Sequence, residues 1–158
     1  MDELQRDETL TLSIDCPDVS QLVALARTVA VQHSLTPSLV CAVVEQESGW
    51  NPYAMRYEPA FRTRYVAPLR LPVTEETARS ISWGLMQVMG QVARENGFTG
   101  KFLPALCEPV TGLHTGCIVL GAKFAASSGD ISRTLQLWNG GADPGYAAQV
   151  LARVARYR

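Results

Sequence analysis

Apolar positions recur at helical spacing in several separate runs of the chain, each introduced by a capping residue. Asp18 or Ser20 can cap a segment running to about Ser34, with Leu22, Leu25, Ala26 and Val29 on one face. Thr36-Pro37 reads as N-cap and first helical position, where proline has no amide proton to waste. The helix so begun carries Leu39, Val40, Val43 and Val44 and stops near Gly49, with Asn51-Pro52 beyond it. The stretch from Pro52 to Pro72 holds four prolines without a sustained period and reads as irregular. Ser82 can cap a third helix, with Leu85, Val88, Met89 and Val92 on one face and Asn96-Gly97 at its end. Further helices are expected over Val110 to Ala126, Ile131 to Trp138 (Asp130 as cap), and Pro144 to the C-terminus (Asp143 as cap). No run alternates convincingly with period two. The pattern predicts an all-α, mostly helical fold.

With 158 residues, 47% of them hydrophobic, the chain suits one domain over 1–158, residues 1–17 being a peripheral segment. Fourteen basic and 15 acidic residues leave a net charge of −1 and no basic excess to neutralise phosphates, so nucleic acid is not an expected partner. No run approaches the ~18 apolar residues of a membrane span. Met1 to Glu8 has the wrong charge for a secretory signal, and no apolar stretch follows it, so synthesis in the cytoplasm is expected and the final location stays open. A monomer is expected. Cys16, Cys41, Cys107 and Cys117 form no CxxC pair, and His33 and His114 stand far apart with no metal-ligand spacing. Neither a metal nor another cofactor is expected. Free buried thiols are the expectation, with Cys107 and Cys117 the first pair to test for a disulfide. A nucleophile and base built from Cys41 and His114 would need the two to meet in space.

One carboxylate stands where carboxylates do not belong. At 100° per residue from Val40, Val43 falls at about 300°, Val44 at about 40° and Glu47 at about 340°, in the middle of the apolar stripe. Glu45 falls at about 140°, on the opposite face. A core-facing carboxylate must be paired, protonated or functional. Glu47 also lies in the last turn of its helix, where the macrodipole disfavours negative charge. Both effects raise its pKa, as a general acid near neutral pH requires. Pairing with an arginine at the core edge is the competing explanation.

Glu47-Ser48-Gly49-Trp50-Asn51-Pro52 is followed by Gly84-Leu85-Met86-Gln87-Val88-Met89 and then by Trp138-Asn139-Gly140-Gly141. In this order the three motifs resemble the soluble lytic transglycosylases of the lysozyme-like superfamily. There, E-S-x-x-N-P ends a helix with the catalytic glutamate, G-L-M-Q opens the next segment of the core, and Y-N-x-G ends a later helix. The resemblance covers residues from about 22 to 155. It implies that Glu47 is the acid/base, that Ser48 helps hold the substrate, and that Gly84, Leu85, Met86 and Gln87 line the sugar cleft. Asn139 corresponds to an asparagine near the glutamate, and Tyr146 to a tyrosine that hydrogen-bonds the catalytic carboxyl. Trp138 departs from the usual tyrosine, replacing a hydroxyl with a donor-only indole. The long segment between Glu47 and Gly84, with Arg56-Tyr57-Glu58-Pro59-Ala60-Phe61, is worded like phage and prophage members.

The implied substrate is peptidoglycan. The implied reaction is non-hydrolytic: one glutamate protonates the β-1,4 glycosidic oxygen, then takes a proton from the sugar's own 6-hydroxyl as a 1,6-anhydro ring closes. Goose-type lysozymes, which share G-L-M-Q, place a carboxylate two residues after the glutamine; here that residue is Met89. The alternatives are a muramidase using Glu47 with a loop carboxylate, Glu58 before Glu75 or Glu76, and a wall-binding protein without turnover. A salt bridge from Glu58 to Arg56, Arg62 or Arg64 would explain it without catalysis. Tyr53, Tyr57, Phe61 and Tyr65 interleave with those arginines and could stack on sugars, or form an ordinary basic-aromatic surface. Trp50, Trp83 and Trp138 adjoin the three motifs, where cleft lining and buried packing explain them equally well.

Overall fold

In the computed structural model, which describes residues 17–158, Asp18 opens the first helix through a reciprocal cap. Its carboxylate accepts from the Gln21 amide at 2.9 Å, while the Gln21 side chain accepts from the Asp18 amide at 3.0 Å. Helix α1 runs Val19–Gln32. Helix α2, Pro37–Ser48, starts on its proline and stops at Gly49, whose φ of 57° is the left-handed conformation glycine adopts freely. Leu39, Val40, Cys41, Ala42, Val43 and Val44 are all buried, so α2 is a central helix over most of its length. It packs against α1 on one side and against α8, Tyr146–Val154, on another. Helices α6, Pro109–Ala126, and α7, Ile131–Trp138, complete the main body. The fold is mostly helical.

The helical expectation fails between Ile81 and Met89. Strand β2, Ile81–Trp83, pairs antiparallel with β1, Met55–Tyr57, and with β3, Val88–Met89. Trp83 lies opposite Met55 in one pairing and opposite Val88 in the other. Ser82 is therefore mid-strand and caps nothing; a helix forms only afterwards, as α5, Gly90–Glu95. The cause is tertiary. Gly84 turns with φ of 69°, its amide bonds the Ala54 carbonyl at 2.8 Å, and Gln87 turns again with φ of 47°. A Cβ on Gly84 would lie 2.3 Å from the Leu106 carbonyl oxygen. Of the apolar residues read as one helical face, Leu85 and Val88 are buried in the loop and strand, Met89 is half-buried, and Val92 alone stands on a helix, α5. Strands of two or three residues are too short to show alternation.

The segment read as irregular, 52–72, holds β1, a single helical turn α3 (Pro59–Phe61), a π-helical turn over Arg62–Val66 and a 3-10 turn over Ala67–Leu69. Helix α4, Val73–Arg79, was not expected. The last helix starts at Tyr146, two residues later than read, with the Asp143 side chain accepting from the Gly145 amide at 2.7 Å. A 3-10 turn, Ala155–Tyr157, continues it. Cys41, Cys107 and Cys117 are free, and burial pushes the Cys41 thiol up to about 11 and the Cys117 thiol up to about 12. Cys16 lies outside the described residues. Cys41 and His114 form no catalytic pair, since Cys41 is inert in the core and His114 bonds His33 instead, Nδ1 to Nε2 at 2.9 Å. No helix among the described residues is long and apolar enough to cross a membrane.

Candidate active site

The last turn of α2 emerges from the core beside a cleft of about 550 Å³. Glu47 lines it, half-buried, with its stripe position carried to the point where the core opens. One of its oxygens is held twice. The Tyr146 hydroxyl, at the start of α8, donates to Oε1 at 2.5 Å, and the Trp138 indole, at the end of α7, donates to the same atom at 2.9 Å. No hydrogen bond from a described residue reaches Oε2. Burial pushes the Glu47 carboxyl above the ordinary carboxylate range, against the opposing pull of the Tyr146 and Trp138 donors and of the positive Arg56. The buried Tyr146 hydroxyl is itself pushed far up by desolvation and by Glu47, which keeps it protonated as a donor.

Ser48 does not face the cleft as a free hydroxyl. Its Oγ lies 2.8 Å from the Leu85 carbonyl and 3.2 Å from the Val44 carbonyl, tying the end of α2 to the glycine loop. Leu85 and Met86 are each 1% exposed. Their side chains belong to the core, and Met86 packs where Gly116 of α6 leaves room, since a Cβ there would meet Met86 Cβ at 2.9 Å. Gly84 is the bend itself. Gln87 does line the cleft, but its amide is engaged: Nε2 donates to the Ala54 and Gly84 carbonyls at 2.9 Å each, and Oε1 accepts from Ser82. The four motif residues thus shape the wall, and only Gln87 reaches its surface.

Asn139 lines the cleft, its Nδ2 donating to the Asp143 carbonyl at 3.2 Å. Glu58 lines it too, paired with Arg56 at 2.5 Å, the ion pair expected of it. Glu75 is tied to Arg79 and Arg94 at 2.8 and 3.0 Å and Glu76 to Arg62, outside the cleft lining. Tyr57 is 47% exposed and is not part of the lining. Met89, two residues after Gln87, presents its apolar side chain in the wall. Of the three tryptophans only Trp138 faces the cleft; Trp50 and Trp83 are buried, donating to Tyr157 Oη and the Ala78 carbonyl. The sequence left Lys123 and Val119 of α6 unremarked, though both line the cleft. Helical position alone does not distinguish them from any other residue of a mostly apolar helix.

Among the described residues no group of three or more His, Cys, Asp or Glu side chains could hold a metal. The arrangement offers one carboxyl with a raised pKa, one oxygen anchored and one open, in a cleft with aromatic and amide walls. The model of the transglycosylase SLT domain matches residues 24–148, which contain all three motifs and every group bonded to Glu47. The chain belongs to this family. No curated protein and no solved structure matched it. An SLT domain accounts for the mostly helical, lysozyme-like body and supports peptidoglycan lytic transglycosylation as the general activity.

Proposed function

We propose that this SLT domain cleaves the β-1,4 bond between MurNAc and GlcNAc without water, leaving 1,6-anhydro-muramyl ends, and that Glu47 is both acid and base. The observation that carries this is the unequal treatment of the two Glu47 oxygens. Oε1 is fixed by Tyr146 and Trp138, so the proton resides on Oε2, which is open to the cleft. Burial raises the carboxyl pKa and so favours the protonated form that the first step needs. In the first step it moves to the glycosidic oxygen as the C1–O bond breaks, and the two donors stabilise the carboxylate being formed. In the second, Oε2 takes the proton of the sugar's 6-hydroxyl while that oxygen bonds C1, which restores the acid. Asn139, whose Oδ1 accepts from no described residue, is positioned to meet a polar group of the sugar, while Gln87 holds the wall in place. Tyr57, exposed outside the lining, supports no contact at the reacting bond.

Met89 at the wall leaves Glu58 as the other carboxylate of the cleft, and Glu58 is committed to Arg56. That favours one carboxylate over the paired acid and base of a muramidase. A single chain supplies the whole cleft, so a monomer suffices. The Arg56 to Phe61 wording supports a phage-encoded enzyme that breaches the wall. Digestion of peptidoglycan in ¹⁸O-water tests the chemistry: products with anhydro ends and no label are expected, whereas stoichiometric label at reducing ends overturns the reading. Glu47→Gln should lower the rate roughly 10²- to 10⁴-fold.

A further inference from the structure

The segment from strand β1 towards β2 contributes Arg56, Glu58, Phe61 and Tyr65 to one wall of the cleft. Phe61 and Tyr65 stand one turn apart and both line the cavity that Glu47 faces. Their ring centroids are 4.9 Å apart with planes inclined at 47°. Tyr65 is nevertheless 49% exposed. What separates it from other exposed tyrosines of the segment is its place in the lining of the Glu47 cleft.

The backbone beneath the two rings is unusual. Arg62–Val66 forms a π-helical turn, a geometry that is rare and recurs at functional sites. It is anchored rather than loose. Val66 is fully buried, Arg62 pairs with Glu76 of α4, and Thr63 Oγ1 donates to the Pro59 carbonyl at 3.0 Å. The Arg64 guanidinium lies 5.2 Å from the centre of the Tyr65 ring, within the range of a cation–π contact. A held, half-exposed aromatic pair on the edge of a polar cleft has the properties of a platform for a ring with one apolar face.

We infer that Phe61 and Tyr65 form a saccharide-binding subsite, stacking on the C–H face of a β-1,4-linked amino-sugar ring adjacent to the bond presented to Glu47. This deepens the function proposed above and rests on it for the identity of the polymer. The contact is made by carbon faces, so a neutral N-acetylated sugar chain fits it, and no charge on the ligand is needed. Tyr53 and Tyr57, although 55% and 47% exposed on the same segment, are outside the cleft lining and take no part.

The test is titration of tetra-N-acetylchitotetraose, a neutral β-1,4 amino-sugar chain, into the Glu47→Gln protein, where binding is read without turnover. Tyr65→Ala in that background should weaken binding about tenfold, the scale of a lost ring contact. Tyr65→Phe should restore it, and Tyr57→Ala should leave it unchanged. NMR shifts on titration should include Phe61 and Tyr65 signals when the tetrasaccharide binds. Binding of Tyr65→Ala within twofold of the parent, equal losses for Tyr57→Ala, or no binding by the parent would each overturn the subsite. Should Tyr65→Ala unfold, Tyr65→Leu provides the same ring deletion with the volume better kept. Tyr65-dependent binding by a protein whose wild type releases no glycan fragments would sink the proposed activity while leaving the subsite standing.

Discussion

The Tyr157 hydroxyl donates to Oε2 of Glu45 over 2.7 Å, joining the final turn of the chain to the helix that carries Glu47. The same hydroxyl accepts from the Trp50 indole at 2.9 Å, and Arg156 pairs with the other Glu45 oxygen. Glu45 points away from the cleft, as its helical angle requires, yet it meets the C-terminal turn instead of open solvent. Gln46 bonds Gln149 at 2.9 Å, and Glu47 bonds Tyr146. Three successive residues of α2 are thus each fastened to α8 or its extension.

Tyr157→Phe removes both side-chain hydrogen bonds at this junction and keeps the ring beside Trp50. A loss of about 1–3 kcal/mol is expected, because the Trp50 N–H and a Glu45 oxygen lose their partner. Urea unfolding of the variant measures it, and an unchanged midpoint would count against the clasp. Glu45→Gln should cost less, since its amide oxygen still accepts from Tyr157.

Tyr146→Phe deletes one of the two donors on Glu47 Oε1. Those donors favour the charged carboxylate, so removing one moves the Glu47 pKa further upward. The acid form then persists to higher pH, and the alkaline limb of the kcat profile should shift up while the maximal rate falls. A downward shift would show that Tyr146 does not act through Glu47. Trp138→Phe should move the limb in the same direction.

Glu47 itself costs stability at neutral pH. Its folded pKa lies above the ordinary 4.5, so between 4.5 and the raised value the native state holds a proton that the unfolded chain releases. Stability therefore falls as pH rises through that window. Glu47→Gln should melt at a higher temperature than wild type at pH 7, and the gain should vanish as pH drops below 4.5. Calorimetry at the two pH values decides it; a gain of equal size at both would argue against desolvation as its cause.

Gly84→Ala is expected to be severe. The added Cβ meets the Leu106 carbonyl oxygen at 2.3 Å, and φ of 69° is disfavoured for any residue with a side chain. Roughly 2–4 kcal/mol should be lost. Gly49→Ala, with a similar φ but open space around it, should lose only about 1 kcal/mol. Comparing the two melting temperatures separates the clash from the backbone strain.

The helices that were legible in sequence carry their punctuation locally. α7 begins at Asp130, whose carboxylate accepts from the Arg133 amide, and α2 is bracketed by Pro37 and Gly49. Glu47 was legible for the same reason, as one polar residue on a stripe that geometry alone identifies. The loop at 84–87 was not, because its conformation is imposed by Ala54 and Leu106, distant in sequence. Its apolar spacing fitted a helix equally well. Tyr146 lies in none of the three motifs and was reached only through the family resemblance, and the Trp138 indole was noticed only as a departure. The links from Tyr157 to Glu45 and Trp50 bridge more than a hundred residues and leave no periodic trace. Leu85 and Met86 illustrate the opposite error: a motif marks them, but the motif serves packing.

The cleft is assembled from two kinds of text. Glu47 comes from α2 and the residues that hold it from α7 and α8, more than ninety residues further on, whereas the wall with Arg56, Glu58, Phe61 and Tyr65 is contributed by one contiguous stretch of ten residues, 56–65. That stretch is clipped into place at few points, the strand pairing of β1 with β2 and the Arg62–Glu76 pair among them. Such a segment is exchangeable as a cassette. Related chains could acquire a different preference for glycan by replacing it whole, without disturbing the acid, and a designer could graft new walls onto this body by the same cut.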